Sequence, residues 1–243
     1  CTNLLRLKYN NSYFCRIMNV DVFIPCFMDQ IYPETGMNMV KVLEKCGCVV
    51  NYNPEQTCCG QVAFNSGYRD EAKEVGVKFI NEFANSRYIV MPSASCAGMV
   101  RNYYPELFHN TALHNEYKRI KSNMYEFSDF MVNVLNTKDV GAKMEGIATY
   151  NDSCAALREY RLNNEPRELL KNVKGLELME MKDTDVCCGF GGQFSSKFEA
   201  IAVSMVAQKV ENALATEARF IISTDSSCLM HIDSYIKKNN IGK

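Results

Sequence analysis

Short apolar runs alternate along this chain with longer segments in which apolar residues recur every three or four positions. The short runs predict β-strands, and the longer segments predict helices between them. The six predicted strands are Val20–Ile24, Cys48–Tyr52, Tyr88–Met91, Ile147–Tyr150, Glu177–Met181 and Arg219–Ser223. Because strands alternate with helices, the pattern predicts an α/β fold with mainly parallel sheets flanked by helices.

Two of the helical segments carry apolar stripes. Spacings of three and four residues place side chains on one face of a helix, so we expect both stripes to face the core. The stripes are Tyr68, Ala72, Val75, Phe79 and Phe83 in one segment, and Phe198, Ile201 and Met205 in the other.

Composition and charge exclude several classes of partner. The chain has 243 residues, 47% of them hydrophobic, and a net charge of -1. A balanced charge gives no argument for a surface that binds nucleic acid or an anionic membrane. The longest apolar run, from Ala200 to Ala207, is far shorter than the roughly 18 residues of a membrane span. We therefore predict no nucleic-acid partner and no membrane span.

The chain is unusually rich in cysteine: it has twelve, although it is long enough to fold without disulfides. Eight of them form two sets in the same order, at offsets of 128, 129, 129 and 132 residues. Near-constant offsets indicate an internal repeat. The sets are Cys26, Cys58, Cys59 and Cys96, and then Cys154, Cys187, Cys188 and Cys228. The other four, which have no counterparts and are expected to be ordinary thiols, are Cys1, Cys15, Cys46 and Cys48.

The repeat suggests a division of the chain into two related units. We predict a first repeat at residues 18–135 and a second at 136–243, related by pseudo-symmetry. Residues 1–17 are polar and lack the apolar stretch of a secretory signal, so we expect a dispensable or non-native extension and a cytoplasmic protein. Each predicted strand ends a few residues before a cysteine of the two sets. All eight thiols should therefore gather beyond the carboxyl ends of the strands, where open α/β sheets bind ligands.

Disulfides, zinc and iron–sulfur clusters are the three chemistries that such cysteines can serve. Adjacent residues such as Cys58 and Cys59 bridge each other with difficulty, and a reducing compartment disfavours disulfides. Structural zinc sites usually take cysteine pairs separated by a short spacer, whereas these pairs are contiguous. Neighbouring side chains that point in different directions suit the separate irons of a cluster. We favour iron–sulfur clusters and keep zinc and disulfides as alternatives.

The surroundings of the cysteines also suit thiolates. A serine precedes Cys96, Cys154 and Cys228, and each is expected to open a helix, where backbone N–H groups stabilise negative sulfur. The glycines after the pairs would let backbone amides approach sulfur, and their pattern is an incomplete dinucleotide fingerprint. These glycines are Gly60, Gly189, Gly191 and Gly192.

No catalytic residue can be assigned among the three histidines. His231 follows Cys228 by three residues and would share its helix face, beside a cluster, although an ordinary surface or core histidine is the favoured interpretation. His109 and His114 match no catalytic pattern. Nothing in the sequence indicates a nucleophile and base for hydrolysis.

The cysteine motifs resemble those of the iron–sulfur family with two cysteine-rich CCG domains, and most closely its lactate utilisation protein A group. The resemblance runs from about Met18 to the end of the chain. The matching motifs are Phe23-Ile24-Pro25-Cys26, Cys58-Cys59-Gly60-Gln61, Pro92-Ser93-Ala94-Ser95-Cys96, Cys187-Cys188-Gly189-Phe190-Gly191-Gly192 and Ser227-Cys228-Leu229-Met230.

This resemblance implies a cytoplasmic iron–sulfur electron-transfer subunit that works with two companion proteins, one of them ferredoxin-like, in oxidising L-lactate to pyruvate. It also implies that the eight cysteines of the two sets are cluster ligands, with one cluster, of [4Fe-4S] type, in each repeat. We expect the isolated chain not to oxidise lactate. The alternatives are a thiol–disulfide oxidoreductase like heterodisulfide reductase, an iron–sulfur subunit of a glycolate-oxidase-type complex, and a zinc-stabilised scaffold.

Three departures from related patterns stand out. Ser93 and Asp225 occupy positions where the heterodisulfide-reductase relatives have a further cysteine, so each set offers four thiolates rather than five. Ala155 stands where lactate utilisation proteins often have histidine. The tail of those proteins extends beyond the position of Lys243, so we expect a terminal strand and helix to be missing here.

Overall fold

The computed structural model describes residues 18–242, and the predicted extension at 1–17 lies outside the described residues. The strands are β1 (Met18–Val22), β2 (Cys48–Tyr52), β3 (Ile89–Met91), β4 (Met124–Glu126), β5 (Lys143–Tyr150), β6 (Lys174–Leu178) and β7 (Phe220–Ile222). The helices of the first half are α1 (Cys26–Ile31), α2 (Pro33–Lys45), α3 (Gln61–Asn65), α4 (Arg69–Phe83), α5 (Ala94–Gly98), α6 (Tyr104–Phe108), α7 (His114–Asn123) and α8 (Phe127–Asp129). Those of the second half are α9 (Glu165–Leu170), α10 (Gln193–Lys197), α11 (Glu199–Leu214) and α12 (Ser226–Lys238). Three π-helical segments are π1 (Met99–Tyr103), π2 (Phe130–Val134) and π3 (Ala155–Tyr160).

The strands form two parallel sheets with the same central order. The first sheet runs β2-β1-β3-β4 and the second runs β6-β5-β7. In each half of the chain the first strand lies inside the sheet: β1 lies between β2 and β3, and β5 lies between β6 and β7. All pairs are parallel, with Met18 opposite Cys48 in the first sheet and Ala148 opposite Phe220 in the second. The predicted α/β fold with two related repeats is confirmed.

The six predicted strands are all present, with differences at their ends. β2 has the predicted bounds, whereas β6 begins and ends three residues earlier than expected because its pairing with β5 starts at Lys174. β4 was not predicted from the pattern. It has three residues, too few for an alternation to be recognised, and it exists because it pairs along β3.

Apolar burial explains the first sheet and the helix behind it. Val20 and Val22 alternate toward the interior of β1 and are fully buried. On α4, Phe79 is 1% exposed, and its ring lies 4.9 Å from that of Phe23 and 5.9 Å from that of Tyr104. Of the predicted stripe, Ala72, Phe79 and Phe83 face the core. Val75 is half-buried, and Tyr68 lies before the helix and is exposed.

The second predicted stripe does not face the core. Phe198 is 53% exposed and Ile201 is 55% exposed, whereas the buried face of α11 is shifted by one position. The residues buried on this helix are Ala202, Val206, Lys209, Val210, Asn212 and Ala213. The spacing of large apolar side chains was misleading here because small residues and one lysine occupy the buried face.

The two repeats pack against each other through π3. Tyr160 of π3 donates a hydrogen bond from its hydroxyl to Asp129 of the first repeat at 2.5 Å and accepts one from the Glu126 backbone N–H at 2.8 Å. The Arg101 guanidinium lies 3.9 Å from the centre of the Tyr160 ring. These contacts continue the first core into the second repeat.

Over residues 18–242, no helix is both long and apolar enough to cross a membrane.

A pair of phenylalanine substitutions tests which stripe is core. We expect Phe79→Ala to lower the free energy of unfolding by about 3 to 5 kcal/mol, because it empties a closely packed aromatic cluster. Phe198→Ala should cost about 1 kcal/mol or less, because that ring already lies half in solvent. Chemical denaturation of both variants measures the difference, and equal losses would contradict the assignment of the buried faces.

Candidate functional site

The loops that follow the strands bring all eight cysteines of the two sets to one cavity. Its volume is about 220 Å³, and residues of both repeats line it. The parallel strands of each sheet all end toward the same side, which places the two sets together. The cysteines in the wall are Cys26, Cys58, Cys59, Cys96, Cys154, Cys187, Cys188 and Cys228. The sequence expectation that these thiols gather beyond the strand ends therefore matches the geometry.

Each set has two half-buried thiols and two buried ones. In the first repeat, Cys26 and Cys58 are half-buried, while Cys59 and Cys96 belong to the apolar core. The second repeat has the same arrangement, with Cys188 and Cys228 packed in its core. All eight line the cavity, and the half-buried ones are the more exposed to solvent.

The half-buried thiols approach each other closely within each set. The Sγ atoms of Cys26 and Cys58 lie 3.4 Å apart, and those of Cys154 and Cys187 lie 3.8 Å apart. The backbone N–H of the glycine after each pair donates to the first sulfur of that pair, at 3.3 Å from Gly60 to Cys58. The equivalent bond runs from Gly189 to Cys187 at 3.4 Å.

These hydrogen bonds decide which thiol ionises first. Hydrogen bonds from Cys26 and Cys59 lower the pKa of Cys58 to about 3, and the Gly60 N–H also favours its thiolate. Hydrogen bonds from Cys154 and Cys188 lower the pKa of Cys187 to about 2. The donating thiols have raised pKa values, because they share their protons with the neighbouring sulfur and are partly desolvated. Each set thus contains one cysteine that ionises readily, next to further cysteine thiols.

The position after each cysteine pair requires glycine. Gly60 and Gly189 have φ values of +82° and +86°, in the left-handed region that side chains rarely adopt. A Cβ at Gly189 would lie 2.8 Å from the Ala202 carbonyl oxygen, and one at Gly60 would lie 3.0 Å from the Ala72 carbonyl oxygen. The turn therefore lets the backbone pass directly under α4 or α11 while its N–H points at sulfur.

The last cysteine of each set lies in the first turn of a helix, Cys96 in α5 and Cys228 in α12. Cys154 lies directly before π3, so the three expected helix starts are observed to within two residues. Cys26 also opens a helix, α1, which the sequence analysis did not single out. Each of these cysteines therefore lies at the N-terminal end of a helical segment, a position that favours negative charge.

A buried carboxylate joins the two repeats beside the thiols. Asp225 is 3% exposed and accepts hydrogen bonds from the hydroxyls of Ser227 at 3.0 Å and Ser153 at 3.1 Å. Ser95 of the first repeat donates to the same carboxylate at 3.3 Å. Burial raises the pKa of Asp225, while these hydroxyls oppose the shift. The sequence had marked Asp225 only as the replacement for a cysteine, but its side chain connects the serines that precede three of the motif cysteines.

The remaining candidates lie outside this cavity. The His231 ring packs 6.1 Å from that of Phe190, next to Gly189, and its buried Nε2 has no hydrogen-bond partner among residues 18–242. His109 and His114 face each other at 5.6 Å, away from the thiols. Cys46 and Cys48 pack with α2 and β2. Cys1 and Cys15 lie outside the described residues.

The wall also contains polar and aromatic groups that sequence reasoning missed. Glu159 on π3 lines the cavity, and Phe27 and Phe190 close one side with ring centres 6.2 Å apart. Lys209 lies outside this wall; it is buried on α11 and donates hydrogen bonds to the loop that leads to the second cysteine pair. The sequence signal for Lys209 was a lysine on a helix face whose other residues are mostly small and apolar.

Within residues 18–242, no three His, Cys, Asp or Glu side chains are arranged to hold a single metal ion.

Comparison with known proteins gives consistent matches over most of the chain. The family model of the cysteine-rich domain named CCG matches twice, at residues 20–101 and 148–233, and these segments contain both sets of cysteines. Lactate utilization protein A of Geobacillus kaustophilus strain HTA426 is 42% identical over 222 residues, which cover 91% of this chain and 92% of that protein. Lactate utilization protein A 2 of Bacillus cereus strain 03BB102 is 38% identical over 224 residues, covering 92% and 93%.

Replacing the glycine after the second pair tests the turn that presents sulfur. We expect Gly189→Ala to lower the free energy of unfolding by more than the roughly 1 to 2 kcal/mol of a left-handed alanine, because its Cβ also meets the Ala202 carbonyl. Gly67→Ala is the matched control, since Gly67 has φ of +88° and, in the described part of the chain, no atom lies within 4 Å of the added Cβ. Denaturant unfolding of both variants measures this, and an equal cost would show that the close approach to α11 is unimportant.

Proposed function

The chain belongs to the family of proteins with cysteine-rich CCG domains, and we propose that it is an iron–sulfur electron-transfer subunit of a complex that oxidises L-lactate to pyruvate. The observation that carries this proposal is the shared cavity lined by two matched sets of four thiols. The lactate assignment is supported by relatives named lactate utilization proteins that match over most of their length.

The donor groups of each set fit a thiolate-bound iron–sulfur cluster. Such a cluster supplies one-electron redox chemistry, which thiol side chains alone do not provide. Contiguous cysteines present two sulfurs in different directions, and the third and fourth come from separate loops, as the separate irons of a cluster require. The N–H groups of Gly60 and Gly189 already donate to sulfur, an interaction that stabilises negative charge on the ligand. We therefore assign one cluster, of [4Fe-4S] type, to each set.

The relay role follows from the electron balance of the reaction. Converting a 2-hydroxy acid to a 2-oxo acid releases two electrons and two protons, whereas iron–sulfur sites accept electrons singly. Because the chain has two such sites, it can accept the two electrons one at a time and deliver them to an acceptor. We assign removal of the lactate hydrogens to the companion subunits, of which one is ferredoxin-like, and we place the complex in the cytoplasm, where thiols stay reduced.

A set of cysteine variants tests which residues hold iron. Cys58→Ser and Cys187→Ser should each remove about half of the bound iron, because each breaks one four-thiol set. Cys46→Ser is the matched control and should keep all of it, because Cys46 packs with α2 outside the cavity. Iron and labile sulfide are measured after anaerobic purification, with melting temperatures to verify folding. Loss of iron from Cys46→Ser equal to that from Cys58→Ser would contradict the ligand assignment.

An anaerobic assay tests the relay role. The cluster-replete chain should not reduce an artificial acceptor with L-lactate when alone, and should support turnover once the two companion proteins are added. Substantial turnover by the chain alone would make it the catalytic subunit and refute the relay. Reduction of an added disulfide by the lone, chemically reduced chain would instead favour a thiol–disulfide oxidoreductase, a function that the shared access to both sets would permit.

A further inference from the structure

Lys209 is a buried lysine at a position where the repeat symmetry places an aromatic residue in the first half. The carbonyls of Ala72 and Ala202 lie under the glycines that follow the two cysteine pairs, so these residues are equivalent, at an offset of 130. The same offset pairs Lys209 with Phe79. Phe79 fills the first core with an apolar ring, whereas Lys209 is 1% exposed and brings an ammonium group into the second.

The ammonium group of Lys209 holds the loop that leads into the second cysteine pair. Its Nζ donates to the backbone carbonyls of Asp183 at 2.7 Å and Thr184 at 3.1 Å. The adjacent helix residues Val206 and Val210 pack with Cys188 in the second core. A buried ammonium is costly unless it is paired or hydrogen-bonded, and these two carbonyls supply its hydrogen bonds.

A second cation lies on the same loop. Arg158 follows Cys154 by four residues and donates to the Asp185 carbonyl at 3.3 Å. The residue four positions after Cys26 is Gln30, which is neutral and bonds to its neighbour Asp29. The second repeat therefore has a cation at two positions where the first repeat has an uncharged side chain.

Burial and nearby negative charge act in opposite directions on the pKa of Lys209, and burial has the larger effect. Burial lowers the pKa of Lys209, while negative charge at Cys188, Asp185, Asp152 and Cys187 opposes that shift. Of the nearby acids, Asp152 is already paired with both terminal nitrogens of Arg167.

We propose that Lys209, assisted by Arg158, makes the cluster of the second repeat the more easily reduced of the two, so that electrons collect at the second set. Reduction adds one negative charge to a site in a weakly polar interior, where a nearby buried cation stabilises it more than solvent-exposed charges do. This inference rests on the proposed electron-transfer function and adds a direction to it. Electrons entering through the first repeat would pass to the second.

The test measures the reduction of each site separately in full-length chains. Cys26→Ser/Cys58→Ser leaves only the second site, and Cys154→Ser/Cys187→Ser leaves only the first. In each background, dithionite supplies one electron per cluster, and paramagnetic resonance follows the signal against the applied potential. We expect the second site to have the higher midpoint potential.

Lys209→Met then isolates the charge, because methionine keeps an unbranched chain of similar length among the apolar neighbours. We expect the equilibrium constant for reducing the second site to fall about tenfold, which is about 59 mV for a one-electron couple. The first site should not change. Lys209→Arg should retain most of the potential, and the exposed control Lys237→Met should leave both sites unchanged.

The outcomes separate this inference from the function on which it rests. Two results would overturn the role of Lys209 and leave the electron-transfer function standing. One is an intact signal with an unchanged midpoint potential at the second site of Lys209→Met. The other is a higher midpoint potential at the first site than at the second when Lys209 is retained. Absence of any iron–sulfur signal in both backgrounds and in the parent chain would overturn the electron-transfer function and this inference together.

Discussion

The site depends on the left-handed turn that follows each cysteine pair. Because Gly60 and Gly189 adopt positive φ, the backbone can pass beneath α4 or α11 and still direct its N–H toward the first sulfur of the pair. The same turn sends the second cysteine into the apolar core. One backbone geometry therefore fixes a buried sulfur, a half-buried thiolate and the stabilising donor between them.

Parallel sheets extend this local arrangement to the whole site. Each sheet delivers its loops to one edge, and packing of π3 against the first repeat turns the two edges toward a single cavity. Asp225 secures the junction by accepting hydroxyl donors from both repeats. Duplication alone would yield two separate four-thiol sites, whereas this interface brings them together in one cavity.

Much of this architecture could be predicted from the sequence, because strands and cysteines repeat at an almost constant offset. Six strands, the α/β class and the clustering of thiols follow from local patterns. The failures concern properties that depend on tertiary contacts. The spacing of Phe198, Ile201 and Met205 predicted a core face, whereas the smaller residues on the neighbouring face of α11 are the ones that are buried. β4 was too short to be recognised, and the roles of Asp225 and Lys209 depend on neighbours that are distant in sequence.

The iron–sulfur assignment is tested most directly by the metal and sulfide content of the intact chain, purified without oxygen. Iron and acid-labile sulfide are quantified per chain, zinc is measured in the same sample, and the visible absorption spectrum is recorded. Two thiolate-bound clusters should give iron and sulfide in similar amounts, little zinc, and broad visible absorption that dithionite partly bleaches. A colourless protein that carries zinc and no labile sulfide would contradict this assignment, and would assign the two sets of thiols a structural role.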